Sequence, residues 1–260
     1  MISYSSNFED VILQRVFADV AKGNYVDVGA STPVADSNSY ALYQKGWRGV
    51  VMEPLPYQES WQQTRPEDVF LNTVAGVPAG KLTLHVYDQA QQISSGSAET
   101  IAHHQRHGVQ PTRSIEVPVL TLNSVINQHL ANKPLHLILI DVEGMEHEVL
   151  NGLDLDHHRP WVLVIEATLP GTPVAAHQGW EPYVLASGYV MAYFDGVNRF
   201  YLAQEQRSLL GRFALPPNVW DRFVMAKQID LEAQVAELKT QLTNLQNLIP
   251  GTIPKLPRSG

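Results

Sequence analysis

Three carboxylates in this 260-residue chain stand where the backbone could put them to chemical use. Asp141 closes the apolar run 135–141, Glu143 follows two residues later with Gly144 behind it, and Glu166 closes a second apolar run, 161–166. If both runs are parallel strands, their carboxyl ends open onto one crevice and the three acids converge there. Crowded carboxylates are costly unless they are protonated or hold a cation. Two roles follow. One is a hard-metal site of oxygen ligands, with Asp141 and Glu166 holding Mg²⁺ or Mn²⁺; the other is a general base that removes a hydroxyl proton, for which Asp141 and Glu143 are the candidates. Glu146, at a helix start, reads as a partner of the helix dipole rather than as a catalyst.

A second constellation precedes these acids. The strand Val26-Asp27-Val28-Gly29-Ala30 ends on a glycine, which lets backbone approach a ligand closely. The run 49–53 ends on Glu53, placed to accept hydrogen bonds from both hydroxyls of a ribose. A glycine turn followed by an acid closing the next strand points to an adenosine ligand. Ser31-Thr32-Pro33 does not complete G-x-G-x-x-G, which disfavours nicotinamide and flavin chemistry, nucleotide-sugar oxidoreduction included. The histidines carry less: His103, His104 and His107 read as a solvated cluster in a polar insert, and His157 and His158 as loop residues.

The elements that must position these groups are an alternation of apolar strands and helices. Residues 6–22 read as an amphipathic helix with Ile12, Val16 and Val20 on one stripe, opened by Ser6 and Glu9 as a capping box. A helix over 37–44 ends at Gly46, and 69–74 and 82–86 read as the third and fourth strands. Residues 88–113 form a polar insert with a short helix over 98–107. Continuous apolar strands separated by helices predict a mostly parallel sheet with helices on both faces. Residues 189–194 and 199–202, joined by Asp195-Gly196, predict an antiparallel hairpin. In the tail, Leu231, Val235, Leu238, Leu242, Leu245 and Ile249 step by four and three alternately, the a/d seam of a coiled coil that dimerises or tethers, ended by Pro250. The expected division is a catalytic domain over 1–226, a coiled-coil helix over 227–249 and a linker or disordered tail over 250–260.

Bulk properties narrow the field. A net charge of −8 argues against nucleic acid as a partner. The absence of cysteine excludes a disulfide scaffold, a thiolate metal site and a cysteine nucleophile. No run approaches the ~20 apolar residues of a membrane span, and the first residues lack the pattern of a secretory signal. A cytoplasmic protein is the expectation.

Taken together, several stretches resemble the FkbM-type methyltransferases. They are Ser6-Asn7-Phe8-Glu9-Asp10; Val26 to Ala30 with Pro33; Gly46-Trp47-Arg48-Gly49 leading to Glu53-Pro54; and Ile140-Asp141-Val142-Glu143-Gly144-x-Glu146 followed by Val149-Leu150-x-Gly152. Pro160-Trp161, Ile165-Glu166-Ala167-Thr168 and Phe194-Asp195-Gly196-Val197-Asn198-Arg199-Phe200-Tyr201 complete the set, which covers most of residues 5–205. Ser6 stands where the family commonly has glutamine and Ala98 where threonine is expected. The resemblance implies a class I methyltransferase (Rossmann-like) fold, S-adenosylmethionine as donor and O-methylation, often of sugars in bacterial surface polysaccharides or of secondary metabolites. It implies that Asp27, Gly29, Ala30 and Glu53 hold the cofactor, with Asn72 near the adenine, and that Asp141 and Glu143 sit where the methyl is transferred. It places His104, Asp195 and Asn198 with the acceptor. Related sugar and catechol O-methyltransferases hold a divalent ion at the positions of Asp141 and Glu166. The acceptor expected is the hydroxyl of a sugar or polysaccharide, rhamnose being one candidate. A non-catalytic adenosine-binding scaffold, a small-metabolite methyltransferase and an N-methyltransferase are the alternatives. The coiled coil lies outside the resemblance and would recruit a second copy or a partner enzyme.

Overall fold

The computed structural model describes residues 1–248. In chain order the elements are β1 (Ile2–Ser3), α1 (Glu9–Val16), β2 (Asn24–Val28), α2 (Tyr40–Gln44), β3 (Arg48–Met52), α3 (Gln58–Thr64) and β4 (Val69–Leu71). Then come β5 (Val74–Ala75), β6 (Gly80–Val86), α4 (Ala98–Arg106), β7 (Arg113–Leu120), α5 (Leu122–His129), β8 (Leu137–Ile140) and α6 (Glu146–Asn151). The chain continues through β9 (Val162–Glu166), α7 (Glu181–Ala186), β10 (Tyr189–Phe194), β11 (Asn198–Ala203), β12 (Val224–Met225) and α8 (Ala226–Leu248).

Seven strands share one mixed sheet in the order β10-β11-β9-β8-β2-β3-β4. β9, β8, β2, β3 and β4 pair parallel, while β11 runs antiparallel to both β9 and β10. Every residue of β8 and β9 is buried, as a sheet covered on both faces requires. Alternation along the strands sends Val26, Ile138, Ile140 and Leu163 into one core with Val125 of α5, Val149 of α6 and Val184 of α7. Tyr25, Leu139 and Val164 enter the other core with Ile12 of α1, Leu42 of α2 and Trp61 of α3.

Several elements differ from expectation. The first helix spans Glu9–Val16 rather than 6–22, and the Ser6/Glu9 capping box does not form. Phe8, at φ 65°, is the N-cap, and Glu9 is turned inward, 2% exposed, where the Asn198 amide donates to it. The run 69–74 breaks at Asn72-Thr73. Asn72 Nδ2 donates to the carbonyls of Glu53 and Leu55, both at 2.9 Å, and the chain turns so that Val74–Ala75 joins another sheet. The strand expected over 82–86 belongs to that second sheet, order β5-β7-β6, with β6 antiparallel to β7. β7 escaped the sequence reading because Pro118 interrupts it and only every second residue is buried over its second half.

Asp195-Gly196 makes the turn between β10 and β11, where Asp195 Oδ1 accepts from the N–H groups of Val197 and Asn198. β12 pairs with β1, and α8 follows at once. Ile249, Pro250 and the tail expected over 250–260 lie outside the described residues. Among the described residues no helix is long and apolar enough to cross a membrane.

Candidate active site

Strand order reverses between β2 and β8, the place where an open α/β sheet leaves a crevice beyond its carboxyl ends. A cavity of about 520 Å³ lies there. Gly29 sits at φ 79°, and a Cβ on it would fall 1.7 Å from the Asp141 carbonyl oxygen, so β2 and β8 can approach this closely only with glycine. The N–H groups of Gly29 and Ala30 both donate to the Met52 carbonyl, which ties the turn after β2 to the end of β3.

On the β2–β3 side each acid is held in advance. Glu53 accepts from Ser31 N–H on one oxygen and from Leu55 N–H on the other, both at 2.8 Å. Burial pushes its pKa up to about 7 against these hydrogen bonds. Asp27 accepts from Ser39 Oγ at 2.5 Å, and burial raises it to about 6, opposed by Ser39 and by the Arg65 guanidinium. Arg65 is buried, donates to Ser39 Oγ and Tyr25 OH, and pairs with Asp68 at 2.7 Å. No sequence signal marks Arg65; only folding brings α3 beside β2. Asn72 does not line the cavity; its amide shapes the turn behind Glu53, and Thr73 reaches the cavity wall instead.

The β8 side is built differently. Asp141 and Glu143 line the cavity. Glu143 adopts φ 55° and Gly144 φ 93°, a tight left-handed turn that is costly for Glu143. Two hydroxyls of the insert hold that turn: Ser95 Oγ and Thr100 Oγ1 donate to the Glu143 carbonyl at 2.8 and 3.1 Å. A Cβ on Gly144 would meet Thr100 Oγ1 at 2.2 Å. Ser95 and Thr100 thus tie α4 to the acid loop, a role that spacing could not show because 48 and 43 residues separate them from Glu143.

Glu143 Oε2 and Glu166 Oε2 are buried and have no hydrogen-bond partner among the described residues. Burial, and then the neighbouring acids, push both carboxyls far above the usual range. Burial and the Asp27 charge raise Asp141 less, to about 6, because a hydrogen bond with Glu166 opposes the rise. Glu146 Oε1 accepts from Val142 and Gly144 N–H at 3.3 and 3.2 Å, a loop-capping role. Glu166 is absent from the cavity wall, and among the described residues no group of three or more metal-ligating side chains is arranged to hold an ion.

The remaining expected residues divide. Asn198 is buried, lines the cavity and donates to Glu9 Oε1 at 2.8 Å. Burial raises Glu9 to about 8, and this acid was missed because its type and position read as a helix cap. Asp195 lies off the cavity wall and serves the β10–β11 turn. His104 is buried edge-on against Tyr87, away from the cavity wall, with Nδ1 unpartnered. His103, half-buried, and His107, exposed, lie with ring centroids 4.4 Å apart and planes tilted by 40° at the end of α4.

The charge of the wall is one-sided. Asp27, Asp36, Glu53, Asp141 and Glu143 line it, and among the described residues no Lys, Arg or His does. Such a wall offers no cation to a phosphate, and its acids can ionise against a bound cation. Its glycine turn and preset Glu53 fit an adenosine group, and its acids fit a positively charged centre, so S-adenosylmethionine suits the residues present.

A profile of the methyltransferase FkbM domain matches residues 27–191. No curated protein and no solved structure matches the chain. The profile begins on Asp27 in β2 and ends in β10, taking in the glycine turn, Glu53, the insert and the acid loop, and on that evidence the chain belongs to the FkbM methyltransferase family, whose members in general use S-adenosylmethionine.

Proposed function

We propose that this chain is an S-adenosylmethionine-dependent O-methyltransferase of the class I (Rossmann-like) fold, acting on an uncharged sugar hydroxyl. The observation that carries the reading is the cavity at the strand-order reversal, lined by five acids and, among the described residues, by no basic side chain. The wall disfavours a phosphorylated dinucleotide and supports a donor that carries positive charge. Assignment of the acceptor to a bacterial surface polysaccharide rests on the family resemblance and on the lack of basic residues that would greet an anionic acceptor.

Asp27, Gly29, Ala30 and Glu53 would hold the donor, with Asn72 shaping the Glu53 turn from behind. The bound donor supplies a methyl group on a positively charged sulfur. Glu143 would act as the base, its carboxylate taking the proton that the acceptor's hydroxyl loses as that oxygen is methylated. Positioning of the acceptor and proton removal are the protein's contributions. Positive charge in the cavity favours the ionised form of Glu143 and of Asp141, whose pKa values burial raises in the free protein. Asn198 and Glu9 are placed to shape the acceptor side. A divalent ion on Asp141 and Glu166 is the competing way to acidify the hydroxyl.

The test is calorimetric titration of S-adenosylmethionine and S-adenosylhomocysteine into wild type and Glu53→Ala. Binding by wild type that weakens roughly ten- to hundred-fold in the variant is expected, the loss of hydrogen bonds to a charged group. A wild type that binds neither compound would leave an adenosine-binding enzyme untenable. Turnover of glycoside acceptors with and without EDTA then separates base from metal, full activity in EDTA being the expected result.

A further inference from the structure

α8 carries a row of large apolar side chains that nothing among the described residues covers. Leu231, Val235, Leu238, Leu242 and Leu245 are 50, 48, 62, 40 and 55% exposed. Their spacing puts Val235 and Leu242 at a positions and Leu231, Leu238 and Leu245 at d positions of a heptad repeat. A lone 23-residue helix with such a stripe facing water is marginal, since helices draw most of their stability from packing. The apolar groove formed by Met225, Leu231 and Val235 is the start of this seam.

We propose that α8 pairs with α8 of a second copy of this chain as a parallel, in-register, two-stranded coiled coil. The face is complementary to itself. Val at one a position with Leu at each d position favours two strands. In parallel register Lys227, at g, faces Glu232 of the second copy at e, and no like charges oppose each other along the described flanks. Lys239 facing Glu232 would serve an antiparallel pair equally, so orientation rests on Gln228, the a position one heptad before Val235. A parallel pair sets Gln228 against Gln228, where the two amides satisfy one another. An antiparallel pair sets Gln228 opposite Leu245, where its Nε2 keeps only the bond it donates to Glu232 of its own helix and its carbonyl oxygen is buried without a partner, a penalty. Since β12 joins β1 directly before α8 begins, both bodies leave the seam from the same end.

Sedimentation equilibrium of the full chain tests the pairing. Twice the chain mass is expected, falling to the single-chain mass in Leu238→Asp with thermal unfolding of the remainder unchanged. A wild type of single-chain mass throughout a concentration series, or a larger assembly, overturns the proposal. Orientation is read by oxidation, because the chain contains no cysteine of its own. In a parallel pair Leu231→Cys alone forms a covalent dimer. In an antiparallel pair position 231 lies opposite 242, and cross-linking only between Leu231→Cys and Leu242→Cys chains would refute the parallel arrangement. The result is independent of the reaction assigned to the cavity.

Discussion

The two walls of the cavity treat their carboxylates in opposite ways. Along β2 and β3, Glu53 has a backbone N–H on each oxygen and Asp27 has Ser39 with Arg65 behind it. At the end of β8, Glu143 lines the cavity with a buried oxygen that has no partner among the described residues, and behind that wall Glu166 keeps another and is hydrogen-bonded to Asp141. The first wall is satisfied before any ligand arrives, which suits a site that grips one invariant group. The second holds uncompensated acids, which a positive centre and a hydroxyl would relieve.

The comparison can be broken most severely at its seam. Gly29→Ala would set a methyl 1.7 Å from the Asp141 carbonyl and add roughly 1–3 kcal/mol of left-handed strain. No cofactor binding and a lowered unfolding temperature are expected in calorimetry, and normal binding would show that the walls need not meet so closely. Next in size, Glu143→Gln should slow methyl transfer to an accepted glycoside by about 10²–10⁴-fold with cofactor affinity little changed. A variant as fast as wild type would move the base elsewhere.

Protons offer a finer probe. Asp27, Glu53 and Glu9 have folded pKa values of about 6, 7 and 8, all above their ordinary ranges. The folded state therefore binds more protons than the unfolded chain between those ranges and the raised values, and stability should fall as pH rises through that window. A bound cation favours the ionised forms, so S-adenosylmethionine should release protons on binding and bind more tightly as pH rises through 6 to 7. Uncharged at sulfur, S-adenosylhomocysteine should show a shallower dependence; equal slopes would mean that the raised acids of the cavity do not sense the sulfonium. The smallest effect is expected at the clamp on the acid loop. Thr100→Val with Ser95→Ala removes both hydroxyls from the Glu143 carbonyl and should cost activity a few-fold to tens-fold without loss of affinity for the cofactor. An unaffected pH profile of turnover would reduce the pair to ordinary packing.

Much of this arrangement is legible in the chain. Gly29, Glu53, Asp141 and Glu143 each end or directly follow an apolar run, and parallel strands bring such ends to one edge by backbone geometry alone. Legibility fails where a role depends on a distant partner. Glu9 has the local signature of a helix cap, yet its carboxylate turns inward because Asn198, 189 residues later, meets it on the next layer. Asn72 closes an apparent strand, and its amide is spent on the Glu53 turn rather than on the cavity. β6 and β7 leave the main sheet because the turn at Thr73 redirects the chain, which no pattern within either strand records.

What the sequence by itself determined is therefore the alternation of strand and helix, the glycine turn, the acids at strand ends and the heptad seam, since each follows from periodicity or from the conformational limits of a single residue. Only the tertiary structure decided which acids are satisfied and which are left unpaired, that an insert braces the Glu143 turn, and that a buried arginine stands behind Asp27. Those are matters of burial and of hydrogen bonds between residues far apart in the chain. Their energies depend on the water excluded when the layers close, and no local stretch of sequence contains that information.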